Sequence, residues 1–408
     1  HAATARPRLA QLADRIARPF LLVVLLAATL AAVYWWPQGQ GHALMVAVAV
    51  LIVTCPCALS LATPTAMLAG AGSLARAGVM VRRLQALEVL AQVDTVVFDK
   101  TGTLTHDQQQ VSQIRVRDGA DAQQALAMAA ALARQSLHPV SRAIVAAADA
   151  RMAATPATWV ADDLHEVAGQ GVSARLRAAS GTGEPLQMRL GHGAFCGLGA
   201  SQAAAGAQAG LTYLCDASGW LASFTVTQSL RDDAAATVAA LAAEGIEVHM
   251  LSGDRQDAAE QVGAMLGITS VQAQNAPDAK LAFLRARQAS GRRVAMVGDG
   301  LNDAPVLAGA DVSFAMGRAT PLAQSQADFV VLGGQLLRVV QTLRLARRTM
   351  RVVRQNLGWA LAYNLACIPL AVVGWIPAWL AGLGMAASSL LVVLNALRLA
   401  GDMTREGH

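Results

Sequence analysis

The sequence has few charged residues, few aromatic residues and almost no lysine. Of its 408 residues, 14% are charged, 4% are aromatic and 54% are hydrophobic. Soluble enzymes are more polar than this, so the composition indicates segments that cross a membrane. The formal net charge is +5, but the arginines cluster beside apolar runs and aromatic side chains are scarce. This pattern argues against a nucleic-acid-binding protein and favours the cytoplasmic flanks of membrane helices.

Cysteine is also scarce, and its placement is informative. The five cysteines are Cys55, Cys57, Cys196, Cys215 and Cys367. An odd number, with two members inside one apolar run, argues against a disulfide framework and for a reducing compartment. The chain starts at His1 and shows no signal peptide, so we expect it to begin part-way through a longer protein.

Four apolar runs are long enough to cross a membrane as helices. Arginines lie on the side of each run opposite to its short connecting loop, as Arg76, Arg82 and Arg83 do after the second run. Because such residues stay on the cytoplasmic side, both hairpins are predicted to have cytoplasmic ends, with residues 73–350 between them in the cytoplasm. The four runs cover residues 19–36, 43–71, 357–376 and 378–397.

The long middle part alternates short apolar strands with alanine-rich helices such as 233–245. This alternation predicts a doubly wound parallel sheet, in which ligands bind at the carboxyl ends of the strands. The turn-rich sequence between residues 107 and 224 interrupts the alternation and predicts an inserted α+β domain. The predicted strands are 93–99, 247–254, 292–300 and 311–317.

Acidic and hydroxyl side chains follow three of these strands. "DKTGTLT" begins at Asp99, "SGD" begins at Ser252, and "GDGLNDAP" supplies Asp299 and Asp303. A carboxylate at a strand end can attack phosphorus, and two further carboxylates suit a hard cation such as Mg2+. A single acidic residue at a strand end is commonplace. A phosphoryl-transfer site is predicted because the motifs together supply a nucleophile, a hydroxyl group, a cation and carboxylates that can bind a metal ion.

The chain's two lysines both fall within such motifs. Among 32 basic residues only Lys100 and Lys280 are lysine, and they lie in "DKTGTLT" and "PDAK". Lysine presents a compact point charge, whereas arginine presents a planar fork. The restriction of lysine to these two positions supports a role for both beside a phosphoryl group.

The motifs "DKTGTLT", "SGD" and "GDGLNDAP", in this order, resemble those of the P-type ATPases, phospho-aspartate ion pumps of the haloacid dehalogenase superfamily. The resemblance implies that ATP phosphorylates Asp99. Phosphatases of that superfamily usually carry a general-acid aspartate two positions after the nucleophile; here Thr101 stands there, which implies a longer-lived acyl phosphate. The implied catalytic residues are Asp99, Lys100, Thr101, Gly102, Thr103, Ser252, Gly253, Asp254, Lys280, Asn302 and Asp303. The implied Mg2+ ligands are Asp99, Thr101, Asp299 and Asp303.

Two further stretches, "SLHPVSRAI" and "HEVAGQGVSA", resemble the nucleotide-binding domain of heavy-metal P-type ATPases. Alone, a His-Pro pair is most often a helix start, and a lone GxG is a weak signal. Together they imply an adenine site, although Leu137 replaces the glutamate that usually precedes the histidine. The implied nucleotide-binding residues are His138, Pro139, Glu166, Gly169 and Gly171.

The second apolar run contains "TCPCALS", with two cysteines around Pro56. Proline in a membrane helix frees a backbone carbonyl, and soft thiolates suit Cu(I) and also zinc. The last two runs resemble those of Cu(I)-transporting members; zinc and cadmium members would carry a membrane lysine and an Asp-x-Gly, which neither run contains. The resemblance thus implies Cu(I) as cargo, with Ag(I) as a surrogate. Its implied ligands are Cys55, Cys57, Tyr363, Asn364, Met385 and Ser389.

The implied fold is α/β plus membrane helices: a haloacid dehalogenase-like doubly wound parallel sheet, an inserted α+β nucleotide-binding domain and four transmembrane helices. The resemblance covers nearly the whole chain, but we expect a C-terminal fragment that lacks the actuator domain and the first membrane helices. The predicted parts are a linker (1–18), a transmembrane hairpin (19–72), a phosphorylation domain (73–106 and 225–340), a nucleotide-binding domain (107–224), a second hairpin (341–400) and a tail (401–408).

The predicted function is ATP-driven export of Cu(I) across the bacterial cytoplasmic membrane, with ATP and Mg2+ as cofactors. The predicted partners are a copper chaperone and the lipid bilayer, and no nucleic acid. Three alternatives stay open: a zinc- or cadmium-type P-type ATPase, a membrane-anchored haloacid dehalogenase-like phosphatase, and a non-enzymatic metal-binding membrane module.

Overall fold

The computed structural model describes residues 8–55, 57–151, 159–181, 184–199, 210–299, 304–317 and 321–401. The chain divides into two compact units, residues 1–104 with 232–408, and residues 105–231. The second unit is an insertion, because the chain leaves the first unit after residue 104 and re-enters it at residue 232. The predictions at Pro56, Asn302 and Asp303, at the start of the linker (1–7) and in the tail from residue 402 lie outside the described residues.

Helices and short strands make up both units. The helices of the described residues are α1 (Arg8–Trp35), α2 (Gln40–Val53), α3 (Cys57–Arg76), α4 (Gln85–Leu90), α5 (Ala122–Ala133), α6 (Pro139–Arg151), α7 (Ala234–Ala243), α8 (Gln256–Leu266), α9 (Pro277–Ala289), α10 (Ala304–Gly309), α11 (Pro321–Gln326), α12 (Leu337–Val372) and α13 (Ala378–Leu397). The strands are β1 (Val79–Val81), β2 (Thr95–Asp99), β3 (Thr105–Val116), β4 (Trp159–Val167), β5 (Gly171–Ala178), β6 (Leu186–Gly191), β7 (Leu211–Asp216), β8 (Gly219–Leu230), β9 (Glu247–Leu251), β10 (Ser270–Gln272), β11 (Val294–Gly298), β12 (Val312–Met316) and β13 (Phe329–Val331).

The first unit contains a seven-stranded sheet in the order β1-β13-β12-β11-β2-β9-β10. Neighbouring strands are parallel, except that β1 pairs with β13 in the antiparallel direction. Every residue of β2, β11 and β12 is buried, which is typical of the central strands of a parallel sheet covered on both faces. The predicted doubly wound parallel sheet is confirmed.

The strand order places three motif-bearing strand ends side by side. β2 lies between β9 and β11, with Asp99 opposite Leu251 of β9 and Phe98 opposite Val297 of β11. The residues that follow these strands, Ser252 and Asp299, therefore come to the same edge of the sheet as Asp99. This edge lies where the chain order changes direction, which is where open α/β sheets bind their ligands.

The remaining long helices of the first unit are apolar and expose large hydrophobic side chains. α3 packs against α12 and α13, and α2 packs against α1 and α13. Side chains on their outer faces, such as Leu44, Leu365 and Leu383, are largely exposed. An apolar surface of this extent is unfavourable in water and is typical of helices that face lipid.

Two stretches of the described residues, Gln40–Arg76 and Ala378–Gly401, are long and apolar enough to cross a membrane. They correspond to the second and fourth predicted runs. The first run corresponds to a shorter apolar stretch, Leu22–Gln38. The third run lies in the second half of α12, where polar residues such as Asn364 interrupt it. The second and fourth runs thus form candidate membrane-spanning helices, and the first and third spans stay predictions.

The second unit is a six-stranded antiparallel sheet, in the order β3-β8-β7-β6-β5-β4, with two helices packed on it. Asp121 caps α5, since its carboxylate accepts from the backbone N–H groups of Gln123 and Gln124. The core between helices and sheet includes Leu126 of α5, Ile144 of α6 and Phe224 of β8. The sheet and α6 thus carry three of the predicted nucleotide residues: Glu166 lies in β4, Gly171 begins β5 and Pro139 begins α6.

Candidate active site, nucleotide cavity and membrane metal site

The centre of the candidate active site is a buried ion pair. Nζ of Lys280 lies 2.6 Å from Oδ1 of Asp99, and Asp99 and Lys280 are only 5% and 6% exposed. Asp99 is the last residue of β2, and Lys280 lies in the first turns of α9. Two residues 181 positions apart in sequence are thus joined at the carboxyl edge of the sheet.

The second lysine makes a separate ion pair beside the first. Lys100 is buried, and its Nζ bonds to Oδ2 of Asp254. Ser252 is buried in the same loop and accepts a 3.0 Å hydrogen bond from the backbone N–H of Asp254 through Oγ. Gly253 lies between them and is exposed. The two lysines of the chain therefore hold the carboxylates of two adjacent motifs, a pairing that sequence motifs alone did not specify.

The turn after Asp99 requires a glycine. The backbone of Lys100–Leu104 forms one wide turn in which Gly102 has φ of +69°, a conformation that glycine adopts without the steric cost of a Cβ. Thr103 is buried in this turn and Thr101 is exposed. The turn lets the chain leave the strand sharply directly after Asp99.

A second buried carboxylate lies at the neighbouring strand end. Asp299 follows β11 directly and is 8% exposed. Two buried carboxylates on adjacent strands repel each other unless cations accompany them, and their oxygen donors suit a hard divalent cation. Asp99 and Asp299 therefore fit Mg2+ by their chemistry. Among the residues that the structure describes, no three His, Cys, Asp or Glu side chains gather at one metal site, and Asn302 and Asp303 are not among them.

In the second unit, four of the five predicted nucleotide residues line one cavity. Its volume is about 120 Å³, and His138, Glu166, Gly169 and Gly171 are among its lining residues. Pro139 does not line it but begins α6 directly after His138. Leu137, where related proteins usually have glutamate, is 86% exposed. The two predicted stretches are thus brought together although they come from a helix start and a strand turn.

Hydrogen bonds fix Glu166 and His138, two of the polar residues that line this cavity. Ser136 Oγ donates to Oε1 of Glu166 at 2.8 Å and accepts from the backbone N–H of His138 at 3.2 Å. Nδ1 of His138 accepts from the N–H of Val140, which leaves Nε2 as the ring's outer polar atom. Sequence reasoning missed Ser136; its position two residues before the histidine, at the start of a helix, is the usual signal for such a turn.

Close contact between two strands explains one predicted glycine and identifies another. A Cβ on Gly171 would lie 2.3 Å from the carbonyl oxygen of Leu190, and a Cβ on Gly191 would lie 2.2 Å from that of Gln170. Both glycines line the cavity, as do His192 and Thr212. Gly191 was not predicted, and the "GHG" at 191–193 was its sequence signal.

In the membrane helices, Cys55 and Cys57 flank a helix break. α2 ends at Val53 and α3 begins at Cys57. The structure joins the two cysteines by a disulfide, with Cα atoms 5.5 Å apart, so the expectation of free thiols is corrected for this form of the chain. The physical reason is that the break directs both side chains to one point, where their sulfurs can bond. Metal binding needs the reduced pair, because thiolates are the ligands.

Two apolar clusters bracket the cysteine pair. The first cluster consists of Ala28, Ala49, Val50, Val53, Ala371 and Ala381. The second cluster consists of Ala58, Ala62, Ala360 and Val392. One cluster therefore uses α2 residues just before Cys55, and the other uses α3 residues just after Cys57. Each cluster also contains residues of α12 and α13, which sets the register of these helices relative to the cysteines.

The predicted α12 ligands fall between the clusters. Tyr363 and Asn364 follow Ala360 of the second cluster and precede Ala371 of the first. Both are partly buried, whereas Leu361 and Leu365 are exposed. This pattern directs the polar side chains of α12 toward the other helices, at the level of the cysteine pair.

The predicted α13 ligands are bracketed in the same way. Met385 and Ser389 lie between Ala381 of the first cluster and Val392 of the second, and both are partly buried. Sequence reasoning did not assign a contact to Ser388, which is buried and accepts a 3.1 Å hydrogen bond through Oγ from Nε1 of Trp359. This bond ties α12 to α13 next to the candidate ligands.

Comparisons with known proteins identify relatives of this chain in sequence and in structure. A sequence model of the haloacid dehalogenase-like hydrolases matches residues 93–311. The cation-transporting P-type ATPase B of Mycobacterium tuberculosis (strain ATCC 25618 / H37Rv) is 39% identical over 98% of this chain and 53% of its own length. A copper-exporting P-type ATPase of the same strain is 39% identical over 95% of this chain and 51% of its own length.

A solved structure matches the fold over almost the whole chain. The crystal structure of a zinc-transporting PIB-type ATPase in an E2.Pi state superposes with a TM-score of 0.81 at 28% sequence identity, covering 96% of this chain and 66% of that chain. The chain spans about half the length of the curated relatives it matches.

These findings identify the family of the chain. The chain belongs to the haloacid dehalogenase-like hydrolase family. Within that family its similarity is to P-type ATPases, among them relatives named as cation-transporting and copper-exporting, which agrees with the resemblance predicted from the order of its motifs.

Proposed function

We propose that the protein exports Cu(I), with Ag(I) as a surrogate, across the bacterial cytoplasmic membrane at the expense of ATP, through a phosphorylated Asp99. The observation that carries this proposal is the buried Asp99–Lys280 pair at the strand edge shared with Asp299. Catalysis of phosphoryl transfer depends mainly on positioning and on charge stabilisation. Residues fixed at the ends of adjacent parallel strands provide both the positioning and the charge stabilisation.

The reaction at this edge begins with attack of the Asp99 carboxylate on the γ-phosphorus of ATP, which forms an acyl phosphate and releases ADP. Lys280 holds the carboxylate in place and offsets its repulsion of the incoming phosphate. Ser252 offers a hydroxyl to the phosphoryl oxygens, while Lys100 holds Asp254 beside it. Mg2+, when bound by Asp99, Asp299 and the backbone of Thr101, together with Asp303, supplies further charge neutralisation.

The side chain at position 101 influences the lifetime of the acyl phosphate. Thr101 is exposed next to the nucleophile and carries no carboxyl group. The second half-reaction of a phosphatase is the hydrolysis of the acyl phosphate by water. Without a general acid at this position that step is slowed. A persistent acyl phosphate suits an ion pump more than it suits a phosphatase.

ATP is proposed to bind in the cavity of the second unit. His138 and Glu166 are held by Ser136 at its rim, where an imidazole can stack on adenine and a carboxylate can accept from its amino group. Gly171 and Gly191 keep side chains out of the space between strands. The cavity thereby admits a flat ring system next to backbone atoms.

The metal is proposed to be Cu(I). Two thiols and a thioether are soft ligands that favour Cu(I), and Cys55, Cys57 and Met385 lie between the same two apolar clusters. The zinc-transporting structural relative makes zinc the second candidate, since thiolates bind zinc as well. We further propose that a copper chaperone delivers the ion on the cytoplasmic side.

The test is ion-stimulated ATP hydrolysis by the intact gene product in membrane vesicles under reducing conditions. Cu(I) and Ag(I) are expected to stimulate turnover, and the Cys55→Ser and Cys57→Ser variants are expected to lose that stimulation. Cys367→Ser is the matched control, because it removes a membrane thiol that lies outside the proposed ligand set. Stimulation by zinc and not by Cu(I) would overturn the assignment of the metal.

A further inference from the structure

The arginines of α12 have an acidic partner in the first turns of the helix but not further along it. Arg344 and Arg347 both pair with Glu244, at 2.8 Å from Nε to Oε1 and at 3.0 Å from Nη1 to Oε2. Arg351 and Arg354 follow one and two turns later and are exposed. Among the residues that the structure describes, no carboxylate pairs with either of them. The middle of α12 therefore carries positive charge that the protein does not neutralise.

A hydrogen bond between α12 and α13 shows that a third arginine lies at the same level. Asn356 accepts through Oδ1 from Nδ2 of Asn395 at 2.8 Å. A short loop joins the two packed helices, so they run in opposite directions. Arg351 and Arg354 precede Asn356 by five and two residues, and Arg398 follows Asn395 by three residues. At about 1.5 Å per residue, Arg398 lies at a height between those of Arg351 and Arg354.

Arg398 stands at one end of a candidate membrane span. It is exposed, and its Nη1 donates to Oδ1 of Asn395 at 3.3 Å. No carboxylate among the described residues pairs with it. The stretch Ala378–Gly401, which is long and apolar enough to cross a membrane, ends three residues beyond it. Arg351, Arg354 and Arg398, which we name the arginine belt, thus lie at the height where lipid headgroups would surround this span.

Exposed apolar side chains border the arginine belt on the side of the candidate span. Leu394 lies four residues before Arg398, and Leu361 lies seven residues after Arg354, spacings that place residues on one face of a helix. The two leucines are 51% and 64% exposed. A positive band next to an apolar surface matches the two parts of a phospholipid. A soluble polyanion would leave the leucines in contact with water.

We propose that the arginine belt binds the headgroup phosphates of anionic phospholipids in the cytoplasmic leaflet. Guanidinium groups donate paired hydrogen bonds to phosphate oxygens, and basic residues at the cytoplasmic end of a membrane helix are attracted to anionic lipid. A lipid bound there holds α12 at one height, between the headgroups and the contact with Glu244. The proposal rests on the proposed membrane location of the chain, and it requires neither Cu(I) nor phosphorylation of Asp99.

The test is a titration of the purified, delipidated full chain in detergent with an equal mixture of phosphatidylglycerol and phosphatidylcholine, read by native mass spectrometry without ATP or metal. The parent chain is expected to retain phosphatidylglycerol preferentially. Arg351→Gln, Arg354→Gln and Arg398→Gln are each expected to weaken this retention about fivefold, and the triple variant about 100-fold. Replacement of the same three residues by lysine keeps the charge and is expected to preserve binding.

A matched control removes the same charge elsewhere. Arg134→Gln, Arg175→Gln and Arg177→Gln together remove three arginines from the surface of the second unit, where each pairs with an aspartate. This variant is expected to retain phosphatidylglycerol like the parent chain. Thermal unfolding verifies that all variants are folded.

Several outcomes would overturn the proposal. Equal retention of both lipids by the parent chain, or equal retention of phosphatidylglycerol by the parent chain and the triple glutamine variant, would contradict the site. Loss of binding in the lysine variant would show that the arginines do not act through their charge. Release of the lipid by an equal concentration of glycerol phosphate would identify a site for a soluble anion and contradict the lipid. Failure of the chain to insert into vesicles of either lipid would contradict its membrane location, and with it this site.

Discussion

Lys280 and Asp99 form an ion pair across the carboxyl edge of the parallel sheet, with Nζ and Oδ1 2.6 Å apart and both residues nearly inaccessible to solvent. Burial of this kind makes the pair costly to break, because removing one partner leaves the other charge in a poorly solvated site. The same contact places the only cation of α9's first turns on the proposed nucleophile. A substitution of Lys280 is therefore expected to lower both the stability of the first unit and the phosphorylation of Asp99.

Lys280→Ala is expected to destabilise the first unit by about 3–5 kcal/mol, the usual effect of breaking a buried pair, and to lower phosphoenzyme formation about 100-fold or more. Both are measurable, by thermal unfolding and by rapid-quench labelling with ATP. Arg134→Ala is the control, since Arg134 pairs with Asp149 at the surface and such pairs contribute about 0–1 kcal/mol. Equal effects of the two substitutions would contradict the role given to burial.

Gly191→Ala is expected to destabilise the inserted unit by about 1–3 kcal/mol, because its Cβ would overlap the carbonyl oxygen of Gln170 and overpacking costs that much. Nucleotide affinity is expected to fall as the cavity wall shifts. Isothermal titration with an ATP analogue measures the change. Gly199→Ala is the matched control, since no atom lies within 4 Å of the position that its new methyl group would take; an equal loss in both variants would refute the steric explanation.

Met385→Leu keeps the apolar volume of the side chain and removes its thioether. Cu(I) affinity is expected to fall by at least about tenfold. Substituting a residue that only supports a metal ligand already lowers affinity by that much, and Met385 is proposed as a ligand itself. Competition with a Cu(I) chelator measures it, and Met45→Leu on the exposed face of α2 serves as the control. An unchanged affinity would remove Met385 from the ligand set.

His249 is expected to make stability depend on pH. Burial lowers the pKa of its imidazole, and Arg287 lowers it further, while Glu247 opposes them; Nδ1 also bonds to Ser270 Oγ at 2.6 Å. Because the folded state binds the proton more weakly, stability is complete above the unfolded pKa of about 6.5 and declines as the pH falls through it.

Thermal unfolding of the full chain between pH 7.5 and 5 tests this expectation. In the His249→Phe variant this part of the pH dependence should disappear, whereas the exposed His165→Gln control should retain it. If the unfolding temperature of the His249 variant declines with acid as steeply as that of the parent chain, the burial of a neutral imidazole is not its cause.

Much of the architecture could be predicted because it depends on local patterns. The buried strands around Val97 and Met296 are continuous apolar runs, and the turn residues that follow them mark the ligand edge. The two motif lysines were informative because every other lysine or arginine of the chain is arginine. The pairing of Lys100 with Asp254 and of Lys280 with Asp99 could not be predicted, because it depends on which strands become neighbours.

The contacts inside the inserted unit were less accessible to sequence reasoning. Gly191 and Ser136 matter through contacts across strands and turns, which no spacing rule specifies. In the membrane helices, the level of Met385 relative to Cys57 follows from small-residue packing at Ala58 and Ala381, which periodicity alone leaves undetermined.

The most direct test of the central claim is a pulse of γ-labelled ATP given to the intact gene product, followed by acid quenching and treatment with hydroxylamine. The proposed acyl phosphate predicts an acid-stable, hydroxylamine-sensitive label that is present in the parent chain and in Asp257→Asn, an exposed carboxylate control, and absent from Asp99→Asn. A label of equal intensity in Asp99→Asn would contradict phosphorylation of Asp99.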